Sequence, residues 1–116
     1  MKICLQRADN LGDCLLGMAL VPWLRKAYPN ADVSMMVAEK IAPLFAEWDY
    51  VTAVLPLKHN PNFEDLREDD VKSLLNQHRP DVLINLWEHP GFTRAAAQVG
   101  IKEIVADVSN SKNKRH

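Results

Sequence analysis

Short apolar runs that alternate with segments of helical spacing set the limits on what this chain can fold into. Ile3-Cys4-Leu5, Val33–Val37, Val51–Leu55, Val82–Leu86 and Glu103–Val108 read as strands. Between them the apolar spacing turns helical. From about residue 11 to Tyr28 the residues Leu16, Leu20, Trp23, Leu24 and Ala27 share one face, and Tyr28-Pro29-Asn30 stops the helix. Pro22 lies inside it and predicts a kink, because its ring removes one hydrogen bond and presses on the carbonyl of Met18. Residues 39–47 predict a short helix with Ile41, Leu44 and Phe45 inward, and Pro56 closes the third strand. A third helix is expected over 64–78. Its acids Glu64, Asp65, Glu68, Asp69 and Asp70 crowd the start, which suits the helix dipole. A last helix covers about 91–99. Strands alternating with helices imply parallel pairing through crossovers, so the expected fold class is α/β: a Rossmann-like parallel sheet of about five strands with helices on both faces.

The size fits that sheet and no more. A chain of 116 residues has the length of one domain and buries enough surface to fold without disulfide or metal staples. Apolar residues at 47% and charged residues at 25% argue against disorder and fibrous repeats. The longest apolar runs are far below the ~20 residues that a bilayer demands, and no charged-then-apolar leader is visible. A cytoplasmic protein is the expectation. Residues 109–116, SNSKNKRH, read as a basic polar tail or the start of a linker after a domain at 1–108. Without that tail the chain has 11 basic and 15 acidic residues, a net charge of −4, so no broad positive field invites nucleic acid.

In doubly wound sheets, ligands bind beyond the carboxyl ends of the strands. The loop after the first strand is the richest there: Arg7-Ala8-Asp9-Asn10-Leu11-Gly12-Asp13. Gly12 would let the backbone turn closely, and the helix N-terminus offers free amides. On a purely structural reading, Asp9 or Asn10 caps the helix and Asp13 favours its dipole. On a functional reading, one of the two aspartates is a general base within reach of a substrate hydroxyl. The loop is not a nucleotide fingerprint, since a GxGxxG pattern needs three glycines and no Gly-Lys-Ser/Thr occurs. Cys4 and Cys14 have neither metal spacing nor the cysteine–five residues–arginine spacing of phosphatases. Cys4 reads as a buried thiol, and Cys14 sits in a first helical turn where a thiolate could be stabilised. Trp23 and Trp48 read as packing residues, whereas Trp87 and His89 lie where they could line a cleft.

The frame Arg-x-Asp-Asn-Leu-Gly-Asp at 7–13 resembles the start of the family 9 glycosyltransferases, the ADP-heptose:lipopolysaccharide heptosyltransferases. The helix end Arg-Lys-Ala-Tyr-Pro-Asn-Ala-Asp-Val at 25–33 is a second match. Pro80-Asp81-Val82-Leu83-Ile84-Asn85-Leu86, with Arg94 and Gly100-Ile101-Lys102, is a third and weaker one. The resemblance implies the N-terminal half of a two-domain GT-B enzyme, inverting and metal-independent. That half would bind a saccharide or glycolipid acceptor, and a C-terminal domain would bind the ADP-sugar donor, so no cofactor is expected here. It makes Asp13 the catalytic base. The family's acceptor is anionic, which makes Arg7, Lys40, Lys58, His59 and Arg94 candidate partners beside Asp9, Asn10 and Gly12. The pattern departs from the family at Ala19, where relatives often carry proline, and at Asn85-Leu86-Trp87.

The expected function is therefore acceptor binding in a sugar transferase of lipopolysaccharide-core type, inactive as an isolated chain. Its place would be the cytoplasm, at the inner face of the inner membrane, with peripheral membrane contact and no spanning segment. The alternative is a stand-alone binding or assembly module that kept the fold without catalysis and self-associates. An unrelated Rossmann-like nucleotide binder is a weaker third reading.

Overall fold

A computed structural model describes residues 1–9, 11–58, 66–87 and 89–106. The strands are β1 (Lys2–Gln6), β2 (Asp32–Ala38), β3 (Ala53–Leu57), β4 (Val82–Asn85) and β5 (Glu103–Ala106). The helices are α1 (Leu11–Met18), α2 (Leu20–Ala27), α3 (Glu68–His78) and α4 (Pro90–Val99), and a 3-10 turn covers Ala42–Phe45. All strand pairs are parallel and the order is β3-β2-β1-β4-β5. The expected α/β architecture of five parallel strands is what the chain adopts.

Alternation along the buried strands divides the core in two. Ile3, Leu5, Val33, Met35 and Val37 face one side and pack with Cys14, Val21, Leu24 and Phe45 from α1, α2 and the 3-10 turn. Cys4, Met36, Leu55 and Leu83 face the other and pack with Val71, Leu75, Phe92, Ala95 and Ala96 from α3 and α4. Burial of a side chain such as Phe92 contributes about 1.5–3 kcal/mol.

Several elements differ from the sequence reading. The first helix is two helices with a break at Ala19, one residue past Met18, whose carbonyl Pro22 would crowd. Pro22 thereby falls in the first turn of α2, where its missing N–H has no helical partner to lose. Trp23 is not a packing residue: it is 66% exposed, and Ala27 is exposed as well. The inward row is Cys14, Gly17, Val21 and Leu24, built on small side chains that let the helices lie close to the sheet. The Leu16 side chain, expected on that row, is outside the described residues. The expected helix at 39–47 is the 3-10 turn, which buries Ile41 and Phe45 but leaves Leu44 exposed. Trp48 does pack, with its ring centroid 6.0 Å from that of Phe45.

Pro56 lies inside β3 rather than closing it, opposite Val37. An edge strand tolerates this, because its outer N–H groups have no ladder to join. Helix α3 starts at Glu68, and the acids Glu64 and Asp65 lie outside the described residues. Residues 107 and 108 of the expected last strand, and the tail 109–116, also lie outside them. Helix α4 ends on Gly100 at φ 90°, a left-handed position that glycine reaches without strain.

Candidate active site at the carboxyl ends of β1 and β4

The chain leaves β1 toward β2 on one side, while β4 pairs on the other. The carboxyl ends of β1 and β4 therefore flank the point where the strand order reverses. That is where ligands bind in open α/β sheets. The loop 7–13 begins there.

Arg7 organises it. Its Nε donates to the Asp13 carbonyl at 3.2 Å, and its Nη1 donates to the Leu86 carbonyl at 2.5 Å. Its Nη2 stands 3.2 Å from Asp9 Oδ2 and 3.4 Å from Asp13 Oδ1. One guanidinium thus joins the β1 loop, the first turn of α1 and the end of β4. Its planar fork suits several acceptors at fixed angles. Arg7 was expected as an acceptor-phosphate contact; here its donors are engaged within the protein, and it holds two carboxylates in place.

Beneath the loop lies a buried amide pair that the sequence reading passed over. Gln6, fully buried, donates from Nε2 to Asn85 Oδ1 at 3.1 Å and to the Trp87 carbonyl at 3.0 Å. Its Oε1 accepts from the Ala8 amide at 2.8 Å, and Asn85 donates onward to Thr93 Oγ1 at 3.4 Å. Buried polar groups are retained where each finds a partner, and these fix the loop to β4 and α4. The signal was present in the sequence: a polar residue ends each of two apolar strand runs, Gln6 and Asn85.

The two aspartates differ in setting. Asp9 is 7% exposed, and its Oδ1 is buried without a hydrogen-bond partner. Burial pushes its carboxyl above the usual carboxylate range; Arg7 opposes this and Asp13 adds to it. Asp13 lies in the first turn of α1 with 41% of its side chain exposed. It can meet a ligand from solvent, as a general base must. Burial holds the Cys14 thiol up at about 11, so the thiolate reading of Cys14 does not stand at neutral pH.

The other candidates are placed less closely. Gly12 is the second residue of α1, exposed and without the left-handed backbone that a tight turn would require. Lys40 and Lys58 are exposed just after β2 and β3, and among the described residues no hydrogen bond or ion pair ties either to Arg7. Arg94 is held by Glu68 on α3, with Nη2 2.6 Å from Oε2 and Nε 3.1 Å from the same oxygen. That hydrogen bonding lowers the Glu68 carboxyl and raises the Arg94 guanidinium. Trp87 and His89 sit after β4 with ring centroids 5.4 Å apart, and Phe92 lies 5.7 Å from Trp87. His89 caps α4, its Nδ1 accepting from the Gly91 amide at 3.0 Å. Asn10, His59 and Glu88 lie outside the described residues.

Two solved structures share the fold. A family 9 glycosyl transferase from Veillonella parvula superposes with a TM-score of 0.75 at 15% identity, over 90% of this chain and 32% of that one. The ADP-heptose lipopolysaccharide heptosyltransferase II of Escherichia coli superposes with a TM-score of 0.72 at 22% identity, over 91% of this chain and 30% of that one. The chain has the fold of the family 9 glycosyltransferases. It spans about a third of the length of each of these structures. No protein-family model matches the chain, and no curated protein sequence matches it. The glycosyltransferase-like fold therefore rests on three-dimensional likeness. None of the helices among the described residues is long and apolar enough to cross a membrane.

Proposed function

We propose that this chain is the acceptor-binding unit of an inverting, metal-independent glycosyltransferase, with Asp13 as its base. The observation that carries the reading is the pair Asp9 and Asp13 on Arg7, at the strand-order reversal of a family 9 glycosyltransferase fold. Asp13 takes the proton of an acceptor sugar hydroxyl. The freed oxygen forms a bond to the anomeric carbon of the donor as the bond from that carbon to the ADP phosphate oxygen breaks. The electron pair leaves with ADP, and attack from the opposite face inverts the centre. Arg7 keeps Asp13 aimed, a positioning task rather than a contact with substrate. The exposed Lys40 and Lys58 supply positive charge for an anionic acceptor of lipopolysaccharide-core type. Arg94 joins them once its pairing with Glu68 is exchanged. On this reading the ADP-sugar donor binds a C-terminal domain, and this unit makes peripheral contact with the inner face of the inner membrane.

The test is a titration of the isotope-labelled chain, followed through its amide resonances. The probe is a deacylated lipopolysaccharide core oligosaccharide. Shifts are expected at Arg7–Asp13 and around Trp87 and His89, while ADP-mannose leaves these signals in place and is not turned over. Oligosaccharide shifts confined to the opposite end of the sheet would refute the acceptor reading. Tight binding of ADP alone would instead favour a nucleotide binder.

A further inference from the structure

We propose that the outer face of α1 and α2 is a docking surface that seats on an anionic lipid bilayer. Every fourth residue along it is apolar and exposed: Leu11, Leu15, Ala19, Trp23 and Ala27. Ala19, at the junction of the two helices, keeps a helical backbone at φ −61° and ψ −23°, so the row runs on from α1 into α2. Residues four apart form a ridge on a helix surface. Trp23 is the most exposed large apolar side chain among the described residues. A surface helix ordinarily turns charged and polar side chains outward. The other side of the sheet obeys that rule: α3 exposes Asp69, Ser73, Asn76 and Gln77, and no large apolar side chain of α3 or α4 is exposed among the described residues.

Charge selects the occupant. Between Cys14 and Tyr28 the only charged residues are Arg25 and Lys26, and Asp13, the acid of the two helices, is engaged by Arg7. The ridge is therefore apolar with a basic end. The acids Glu68, Asp69 and Asp70 are gathered on α3, in the opposite layer, away from such a surface. Trp23 and the exposed Tyr28 add rings with one polar edge, which settle at the level of lipid headgroups. The apolar ridge enters the boundary of headgroups and acyl chains while the cations meet anionic lipid. The helices lie on the bilayer and do not span it. The catalytic meaning rests on the transferase reading. Leu11 and Leu15 stand two residues to either side of Asp13, so a bilayer on this face brings a lipid-anchored acceptor beside the base.

The experiment is flotation of the chain with vesicles of phosphatidylcholine and phosphatidylglycerol in equal parts, and with vesicles of phosphatidylcholine alone. The chain is expected to float with the mixed vesicles and more weakly with the neutral ones. Trp23→Ser should lower the binding constant about tenfold, the loss of one buried large apolar side chain. Lys26→Glu should weaken binding to the mixed vesicles alone. Val105→Ser, which removes an exposed apolar side chain of β5 away from the ridge, should change neither. All three positions are exposed, so the variants should fold, and far-ultraviolet circular dichroism checks that. No flotation of the parent chain with the mixed vesicles would overturn the proposal, as would flotation that Trp23→Ser leaves intact. Equal binding to both kinds of vesicle would overturn the anionic assignment. A dimer that Trp23→Ser dissolves, without flotation, would overturn the proposal in favour of a second copy of this chain. Because no sugar enters the measurement, its failure is distinct from failure of the transferase reading.

Discussion

A Cβ on Gly17 would stand 3.2 Å from Cγ of Arg7, so the bare backbone of α1 leaves room for the arginine stem. The same Cβ would stand 3.3 Å from Leu86 Cδ1. Gly17 thus lets the helix lie against the residue that ties the loop together. Gly17→Ala brings two opposed effects. Helix propensity favours alanine by about 1 kcal/mol, and crowding of the Arg7 stem takes some of it back. The expected result is a melting free energy within about 1 kcal/mol of the parent, together with shifted Arg7 Nε and Asp13 resonances. Unmoved resonances would show that the arginine does not depend on the bare helix face.

The buried amide pair gives a sharper energetic test. Gln6→Leu removes three hydrogen bonds and strands Asn85 Oδ1 inside the sheet. A buried polar atom left without a partner costs about 1–3 kcal/mol. The single variant should lose about 2 kcal/mol or more in denaturant unfolding. Gln6→Leu combined with Asn85→Leu should lose less than the sum of the two single variants, because neither partner is then stranded. Simple additivity in that cycle would mean that the two amides do not cooperate.

The architecture was legible because it rests on period. Ile3-Cys4-Leu5 is apolar and buried, Val33–Val37 is buried apart from the half-buried Ser34, and such short runs between helical segments read as inner parallel strands. Arg7, Asp9 and Asp13 were legible as a group because strand order fixes which loop meets the crevice. What failed was the face of the first helix. Helical spacing puts Leu20, Trp23, Leu24 and Ala27 on one inward face; Leu24 is buried and Leu20 packs partly against the core, but Trp23 and Ala27 are exposed. The structure packs Cys14 and Gly17 against the sheet as well, and at Gly17 a Cβ would already press on Arg7 and Leu86. The role of Arg7 was also hidden, because its partners at Leu86 and Asp13 include backbone carbonyls that carry no side-chain signature.

The outward turn of Trp23 has a direct consequence. At 66% exposure the ring holds little of the fold together, and Leu11 and Leu15 on α1 are exposed too, at 43% and 51%. Trp23→Ser should change unfolding free energy by no more than about 0.5 kcal/mol, as surface substitutions do. It should also raise the concentration at which the chain remains monodisperse, because an exposed apolar ring is lost. A loss of several kcal/mol would mean that Trp23 is buried by something that this arrangement of helices does not contain.

The setting of Asp9 fixes a sign for the pH dependence of stability. Its carboxyl is held above the usual range, so between its unfolded and folded values the native state binds more protons than the unfolded chain. Stability must then fall as pH rises through that window, the reverse of the usual salt-bridged aspartate. The cause is burial first, with the Asp13 charge adding to it and Arg7 working against it. Asp9→Asn abolishes the titration while keeping the shape. Its unfolding free energy should show less decline from about pH 4 upward than the parent chain does. The exposed Glu68 contributes the opposite slope, since hydrogen bonding to Arg94 lowers its carboxyl. That contribution is lost as pH falls through the folded value. Glu68→Gln therefore isolates it, and the difference between parent and Asp9→Asn should persist in that background. If the two curves run parallel across the window instead, Asp9 is as ionised in the folded chain as in the unfolded one, and Arg7 outweighs burial.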